Sequence, residues 1–253
     1  MINFIYFCRP NPINRKCNNW IYGIHIIIYL ITIINTMQTT GLHKLIELIN
    51  LTESTYILRI EKKDMQFEAG QHILLGKADD NDQREYSIYS GTNDEYLEVL
   101  IKEVVDGSVS IHLKNLNPGD LLKVEGPLGF FGLSKDKIES GKFLFIASGT
   151  GIAPFHSMVK SNPNLNYKIL HGIRTCNEDY GKEDYNSDRY IRCTSRENGC
   201  DFEGRVTDYI RQNDFDNDTI CYFCGNFKMI KEAMDLLENK GIPGSQLHAE
   251  VYF

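Results

Sequence analysis

The stretch Gly149-Thr150-Gly151-Ile152-Ala153-Pro154 follows the apolar run Phe143–Ala147. A buried strand that enters a tight glycine turn and then a helix offers free backbone N–H groups to a pyrophosphate. A dinucleotide fingerprint carries a third glycine three residues after Gly151, and here Pro154 stands in that place. Proline suits a first helical turn because it has no N–H to leave unpaired. Further on, His171-Gly172-Ile173-Arg174 holds the position where an acid would clasp a bare ribose. A cation there suits a 2′-phosphate, so the spacing predicts a nicotinamide site of the phosphorylated kind.

A second cluster precedes it. Arg84-Glu85-Tyr86-Ser87 places a cation, an aromatic face and a hydroxyl on alternate sides of a strand. A flat, phosphorylated, redox-active ring needs those three groups, although a tyrosine-rich strand by itself accounts for them equally well. Cys221-Tyr222-Phe223-Cys224 has the spacing of a redox or zinc pair. Its surroundings read as a strand, in which positions i and i+3 point to opposite faces. No second Cys or His pair completes a zinc site, and no iron–sulfur spacing is present, so the seven cysteines are expected to be reduced thiols.

Two kinds of element must position these groups. Over residues 41–130, strands are expected at Ile46–Leu51, Thr55–Glu61, His72–Gly76, Arg84–Tyr89, Leu97–Glu103 and Leu121–Glu125, with one short helix at Val109–Leu116. Turn signals such as Asn117-Pro118-Gly119-Asp120 separate them, which predicts a small antiparallel barrel. From Lys142 strands alternate with helices. Strands are expected at Phe143–Ala147, Tyr167–Leu170, Tyr190–Cys193, Ile220–Phe223 and Leu247–Tyr252, and helices at Ala153–Lys160, Gly204–Arg211 and Phe227–Asn239. That alternation predicts a parallel sheet covered on both faces. The expected fold class is therefore α/β with two domains, a barrel over residues 37–133 and a parallel sheet over 142–253.

Composition bounds the rest. The chain of 253 residues is 42% hydrophobic and 24% charged, with a net charge of −7, values of a globular protein. No basic run marks a nucleic-acid partner. Residues 1–36 differ: they hold Arg9, Arg15 and Lys16 and no acid, and Trp20–Ile34 carries no charge. That run is shorter than the roughly 20 residues of a spanning helix, and the basic residues before it would export everything downstream. The expectation is a functional chain that starts at Met37 in the cytoplasm, without a membrane span. A targeting leader to an organelle is the alternative.

The motifs also stand in an order. Gln71 after Glu68-Ala69-Gly70, Arg84-x-Tyr86-Ser87, Gly107-Ser108-Val109-Ser110, Gly126-Pro127-Leu128-Gly129, Gly149-Thr150-Gly151-x-x-Pro154, Ser195-Arg196-Glu197, Cys224-Gly225-Asn226 and the terminal Ala249-Glu250-Val251-Tyr252-Phe253 follow one another. Each is weak alone. Together they resemble the ferredoxin–NADP⁺ reductase family, bacterial type, over essentially all of residues 41–253.

The resemblance implies FAD in the barrel and NADP(H) on the parallel sheet. Arg84 would neutralise the FAD pyrophosphate, Tyr86 would stack on the isoalloxazine and Ser87 would bond near flavin N5. Lys102 stands where the family has a flavin-side cation, and a solvated surface lysine is the plain alternative. Gly107, Ser108, Val109 and Ser110 match the turn that holds the FAD phosphates. Gly149, Thr150, Gly151 and Pro154 would cradle the NADP pyrophosphate, and Ser195, Arg196, Arg174 and Arg205 the 2′-phosphate. Cys224 and Gly225 would lie beside the nicotinamide, Glu250 would relay a proton, Tyr252 would cover the flavin, and Phe253 would pack on adenine or cap the core.

The implied activity is electron transfer between NADPH and ferredoxin or flavodoxin, by a monomer. The alternatives are an electron-transfer subunit or NAD(P)H–flavin reductase component of a larger system, and a flavin-binding protein without turnover.

Overall fold

The computed structural model describes residues 39–79, 81–105 and 107–251. The leader, Tyr252 and Phe253 lie outside them, and with them the expectations for residues 1–36, for flavin cover by Tyr252 and for Phe253.

The first sheet has six antiparallel strands: β1 (Thr39–Asn50), β2 (Thr55–Glu61), β3 (His72–Lys77), β4 (Gln83–Ser87), β5 (Tyr96–Lys102) and β6 (Leu121–Leu128), in the order β4-β3-β6-β1-β2-β5. A bridge between Ile88 and Val99 and the bond from Tyr89 N–H to the Glu98 carbonyl (2.7 Å) join the two ends, closing a barrel. Tyr56, Leu58, Ile60, Ile73, Leu75, Leu97 and Val99 fill it. Helix α1 (Ser108–Lys114) plugs its end with Val109 and Leu113.

β1 starts seven residues earlier than its apolar pattern indicates. Its first half pairs with β6, from Thr39↔Gly126 to Lys44↔Leu121, and its second half pairs with β2 across a register shift at Leu45/Glu47. The inward positions of the first half include Gly41 and the buried His43, while Leu42 and Ile46 face solvent. His43 donates from Nδ1 to the Glu61 carbonyl at 2.7 Å, which satisfies the buried ring. The period of two is present, but polar residues carry it.

The second sheet is parallel, built from β7 (Lys142–Ser148), β8 (Tyr167–Ile173), β9 (Tyr190–Thr194), β10 (Phe202–Glu203), β11 (Thr219–Gly225) and β12 (Leu247–Val251), in the order β10-β9-β8-β7-β11-β12. Helices α2 (Ala153–Ser161), α3 (Val206–Gln212) and α4 (Phe227–Asn239) cover it. Leu144, Ile146, Phe223 and Leu237 lie in the core on one face. On the other face Phe145, Phe155, Tyr167 and Tyr222 share a cluster with Ile57, Tyr89 and Leu100 of the barrel. Cys221 belongs to the first cluster and Cys224 to the second, so the C-x-x-C pair points to opposite faces, as a strand dictates. Among the described residues, no helix is long and apolar enough to cross a membrane.

One cysteine expectation is overturned. Cys176 and Cys200 are joined as a disulfide with Cα atoms 6.1 Å apart, while Cys193, Cys221 and Cys224 are buried thiols. The pairing joins the turn after β8 to the loop after β9, a proximity that sequence spacing does not carry.

Candidate active site

At the barrel edge, β4 sets Arg84 in solvent, Tyr86 half in the core and Ser87 buried against β3. The Arg84 guanidinium holds Asp82, whose carboxylate also accepts from the Ser108 hydroxyl at 2.7 Å. Asp82 therefore ties the edge of β4 to the start of α1 and gathers a guanidinium, a hydroxyl and the turn at Gly107 on one charged surface. Ser110 faces inward: its hydroxyl accepts from Val104 N–H (3.1 Å) and its carbonyl from the Tyr56 hydroxyl, so it braces the turn from behind. Burial pushes the Tyr86 phenol up to about 12, keeping the ring neutral and apolar.

Lys102 points the other way. Its ammonium pairs with Glu178, beyond β8, at 3.1 Å. The acidic segment that follows β8 is thus an anchor: Tyr180 and Tyr185 are buried in the shared core, and Tyr180 bonds the Thr55 hydroxyl at 3.0 Å.

On the parallel sheet, β7 runs into a 3₁₀ turn at Gly149–Ile152 and then into α2, with Pro154 in its first turn. Gly149 has φ +54°, and a Cβ there would meet nothing within 4 Å, so the turn opens on clear space. Gly151 is held tightly: a Cβ would lie 2.4 Å from the Cys224 carbonyl oxygen. Gly225, at φ +127°, crosses Ser148 just as closely, and Asn226 caps α4 through Lys228 N–H at 3.0 Å. Glycine at 151 and 225 lets β7 and β11 converge under a common opening, a cradle of the kind a pyrophosphate requires.

His171 supports that turn, a role the sequence did not reveal. It is fully buried, and burial lowers its pKa to about 4, so the ring is neutral. Nε2 donates to the Gly149 carbonyl at 2.8 Å, which leaves Nδ1 to accept from the Tyr190 hydroxyl at 2.7 Å.

A third set lies at the far edge. Thr194, Ser195, Arg196, Glu203, Arg205 and Asp208 line a hollow of about 320 Å³. Asp208 accepts from Arg205 N–H (3.0 Å) and pairs with Arg211 (2.7 Å), and Glu197 accepts from Cys176 N–H (2.6 Å). Arg196 and Arg205 make no ion pair among the described residues and share the hollow with the carboxylates of Glu197, Glu203 and Asp208. Arg174 stands at the end of β8, exposed and outside this lining.

The last set joins the two sheets. Ser87 pairs with His72 across β4 and β3, His72 Nδ1 lies 3.8 Å from the Glu250 carboxylate, and Glu250 pairs with Cys224 across β12 and β11. His72 was not singled out in the sequence. Its Nδ1 is buried without a hydrogen-bond partner, and burial lowers its pKa. Such an orphan in a polar cluster calls for a bound group. The Cys224 thiol is fully buried and its pKa is raised well above the ordinary value by desolvation, so it acts as a small neutral side chain and not as a thiolate. The residues present fit a flavin at the barrel edge and a dinucleotide over the glycine turn. FAD supplies hydride acceptance and single-electron release when bound; at these places the chain presents cations and hydroxyls, a half-buried aromatic ring and a polar cluster where the two sheets meet.

The sequence matches the families described as Oxidoreductase FAD-binding domain over residues 43–132 and Oxidoreductase NAD-binding domain over residues 145–235. A dihydroorotate dehydrogenase B (NAD(+)) electron transfer subunit from Clostridium acetobutylicum is 28% identical over 205 residues, 79% of this chain and 78% of that protein. An NADH-cytochrome b5 reductase 1 from Meyerozyma guilliermondii is 30% identical over 238 residues, 82% of this chain and 83% of its own. The solved ferredoxin-NADP+ reductase from Plasmodium falciparum superposes with a TM-score of 0.71 at 26% identity, covering 86% of this chain and 99% of that one. Fold, glycine cradle and matched domains agree: the chain belongs to the ferredoxin–NADP⁺ reductase family of flavoenzymes, with FAD- and NAD(P)-binding domains in that order.

Proposed function

We propose that this chain moves electrons between NADPH and a one-electron carrier, ferredoxin or flavodoxin. Residues 37–133 hold FAD and residues 142–253 hold the coenzyme. Arg84, Gly107, Ser108 and Val109 carry the FAD phosphates, and Tyr86 lies against the isoalloxazine. Ser110 acts on that site from behind, and Lys102 holds the neighbouring domain through Glu178. Gly149, Thr150, Gly151 and Pro154 carry the coenzyme pyrophosphate, and Ser195, Arg196 and Arg205 take the 2′-phosphate. Arg174 contributes from the rim. Cys224 and Gly225 leave room for the nicotinamide, while Ser87 and Glu250 hold and move the proton that accompanies hydride transfer.

The observation that carries this reading is the junction at His72. There the hydroxyl-bearing edge of the barrel and the thiol-bearing end of the parallel sheet meet through a carboxylate 3.8 Å away. Hydride transfer between two flat rings needs polar groups from both domains at one point, with a small neutral side chain beside them. The preference for NADPH rests on Arg196 and Arg205, which among the described residues form no ion pair with the carboxylates that line the hollow beside them.

Anaerobic mixing of the FAD-loaded chain with NADPH or NADH, followed by ferredoxin or flavodoxin, tests the proposal. Flavin bleaching that is faster with NADPH, with subsequent reduction of either carrier, is the expected result. Equal or faster bleaching by NADH removes the coenzyme assignment. Fast bleaching with neither carrier reduced reassigns the chain to a larger oxidoreductase system.

A further inference from the structure

The end of β8 and the turn after it grip the loop after β9 at three points, the first of them the Ser195 N–H, which donates to the Ile173 carbonyl at 3.3 Å. Cys176, at the start of a 3₁₀ turn at Cys176–Glu178, is bonded to Cys200, 24 residues on. Its backbone N–H donates to the Glu197 carboxylate at 2.6 Å. The gripped loop carries Ser195 and Arg196, which line the hollow beside α3, and residues 195–199 are exposed. The turn is itself fixed from behind: Glu178 pairs with Lys102 at 3.1 Å and accepts from Arg174 N–H at 2.8 Å, and Asp179 pairs with Arg192 of β9 at 3.1 Å. At the loop's far end Arg192 pairs with Asp201 at 2.8 Å, the one further ion pair there among the described residues. The loop that faces the hollow is therefore exposed backbone held by a rigid neighbour, and one of its fastenings is a bond that thiol exchange makes and breaks. Cys176 and Cys200 are only half-buried, whereas Cys193, Cys221 and Cys224 are buried, so an exchanging reagent reaches the pair first.

We propose that Cys176 and Cys200 form a redox-sensitive clamp on coenzyme selection: the oxidised pair holds Ser195 and Arg196 in place for a 2′-phosphorylated adenine nucleotide, and the reduced pair releases them. The inference rests on the reading of the hollow as the 2′-phosphate site. A small-molecule disulfide such as glutathione disulfide is the oxidant. One cysteine thiolate attacks it and releases one glutathione thiol; the second cysteine displaces the mixed disulfide and releases another. Two electrons pass from the cysteine pair to glutathione, and the two protons end on the two thiols released. A dithiol reductant runs the exchange backwards. Preorganising the loop removes part of the ordering cost of binding, so the oxidised form binds more tightly. The effect is confined to ligands that touch the loop through a 2′-phosphate.

The test uses the full FAD-loaded chain, oxidised with glutathione disulfide or reduced with dithiothreitol and desalted, then titrated with 2′,5′-ADP and with ADP. Peptide mapping of the oxidised form is expected to find Cys176 linked to Cys200. Oxidised chain is expected to bind 2′,5′-ADP about three- to tenfold more tightly than reduced chain, with ADP changing by less than about twofold. Cys200→Ser and, independently, Cys176→Ser should hold the reduced-state affinity whatever the treatment, with an unchanged bound-flavin spectrum. Equal 2′,5′-ADP affinity in both states overturns the clamp, as does a difference that survives in either serine variant. If 2′,5′-ADP binds no better than ADP in either state, the coenzyme reading itself fails, and that outcome is distinct from the others.

Discussion

His171 shows how a residue with no reactive role sets the shape of a binding site. The folded chain keeps its imidazole neutral down to about pH 4, while an unfolded chain protonates it near 6.5. The unfolded state therefore binds the extra proton first. The stabilisation from this group is complete above pH 6.5 and falls as the pH drops towards 4, by on the order of 3 kcal/mol. Urea unfolding at pH 7 and pH 5 should show a larger loss for the native chain than for His171→Gln, and parallel losses would remove this account. Arg196 acts through charge. Arg196→Ala is expected to raise the KM for NADPH about tenfold, the cost of a charge-assisted bond to phosphate, and to leave NADH kinetics unchanged. Steady-state assays with both coenzymes decide it. His171 and His72 were invisible as site residues in the sequence because nothing in their neighbours marks them. One braces a turn 22 residues away and the other meets a carboxylate near the chain's end. Arg196 stands out in the sequence because a Ser-Arg pair after a strand is a local pattern.

At the scale of elements, the crossing of β7 and β11 decides the cradle. A methyl group at 151 would lie 2.4 Å from a backbone oxygen, which no side-chain rotation relieves. Gly151→Ala is therefore expected to cost about 2 kcal/mol or more of stability and to weaken NADP(H) binding, read together by thermal unfolding and coenzyme titration. A variant with native Tm and affinity would show that the strands can part. Most elements were readable from apolar period and turn residues: β2 and α4 run over the expected residues, Thr55–Glu61 and Phe227–Asn239. β10 and the first half of β1 were not. β10 has two residues, too few to show a period, and β1 begins with inward positions that include Gly41 and His43.

At the scale of the whole molecule, barrel and parallel sheet share one apolar cluster. Tyr89 stacks on His156 with ring centroids 3.7 Å apart, and its carbonyl accepts from His156 Nδ1 at 2.6 Å. Residues that belong to two domains by sequence are thus buried together, and residues 39–251 are expected to unfold as one cooperative unit. Far-UV circular dichroism and flavin fluorescence should give coincident denaturant midpoints. Tyr89→Ala should lower both by the same amount, about 3–5 kcal/mol of stability. Separate midpoints would show two independent domains.

The two kinds of sheet, the glycine turn after β7, the Arg-x-Tyr-Ser edge and the family were readable before folding, because each depends on residues close together along the chain. It took the folded chain to show that Lys102 pairs with Glu178 of the neighbouring domain, that Cys176 meets Cys200, and that Ser87, His72, Glu250 and Cys224 share one junction. Those contacts join residues from 15 to 178 positions apart along the chain. Which segments meet is fixed by sheet order and core packing, quantities of the folded whole that no local window of sequence contains.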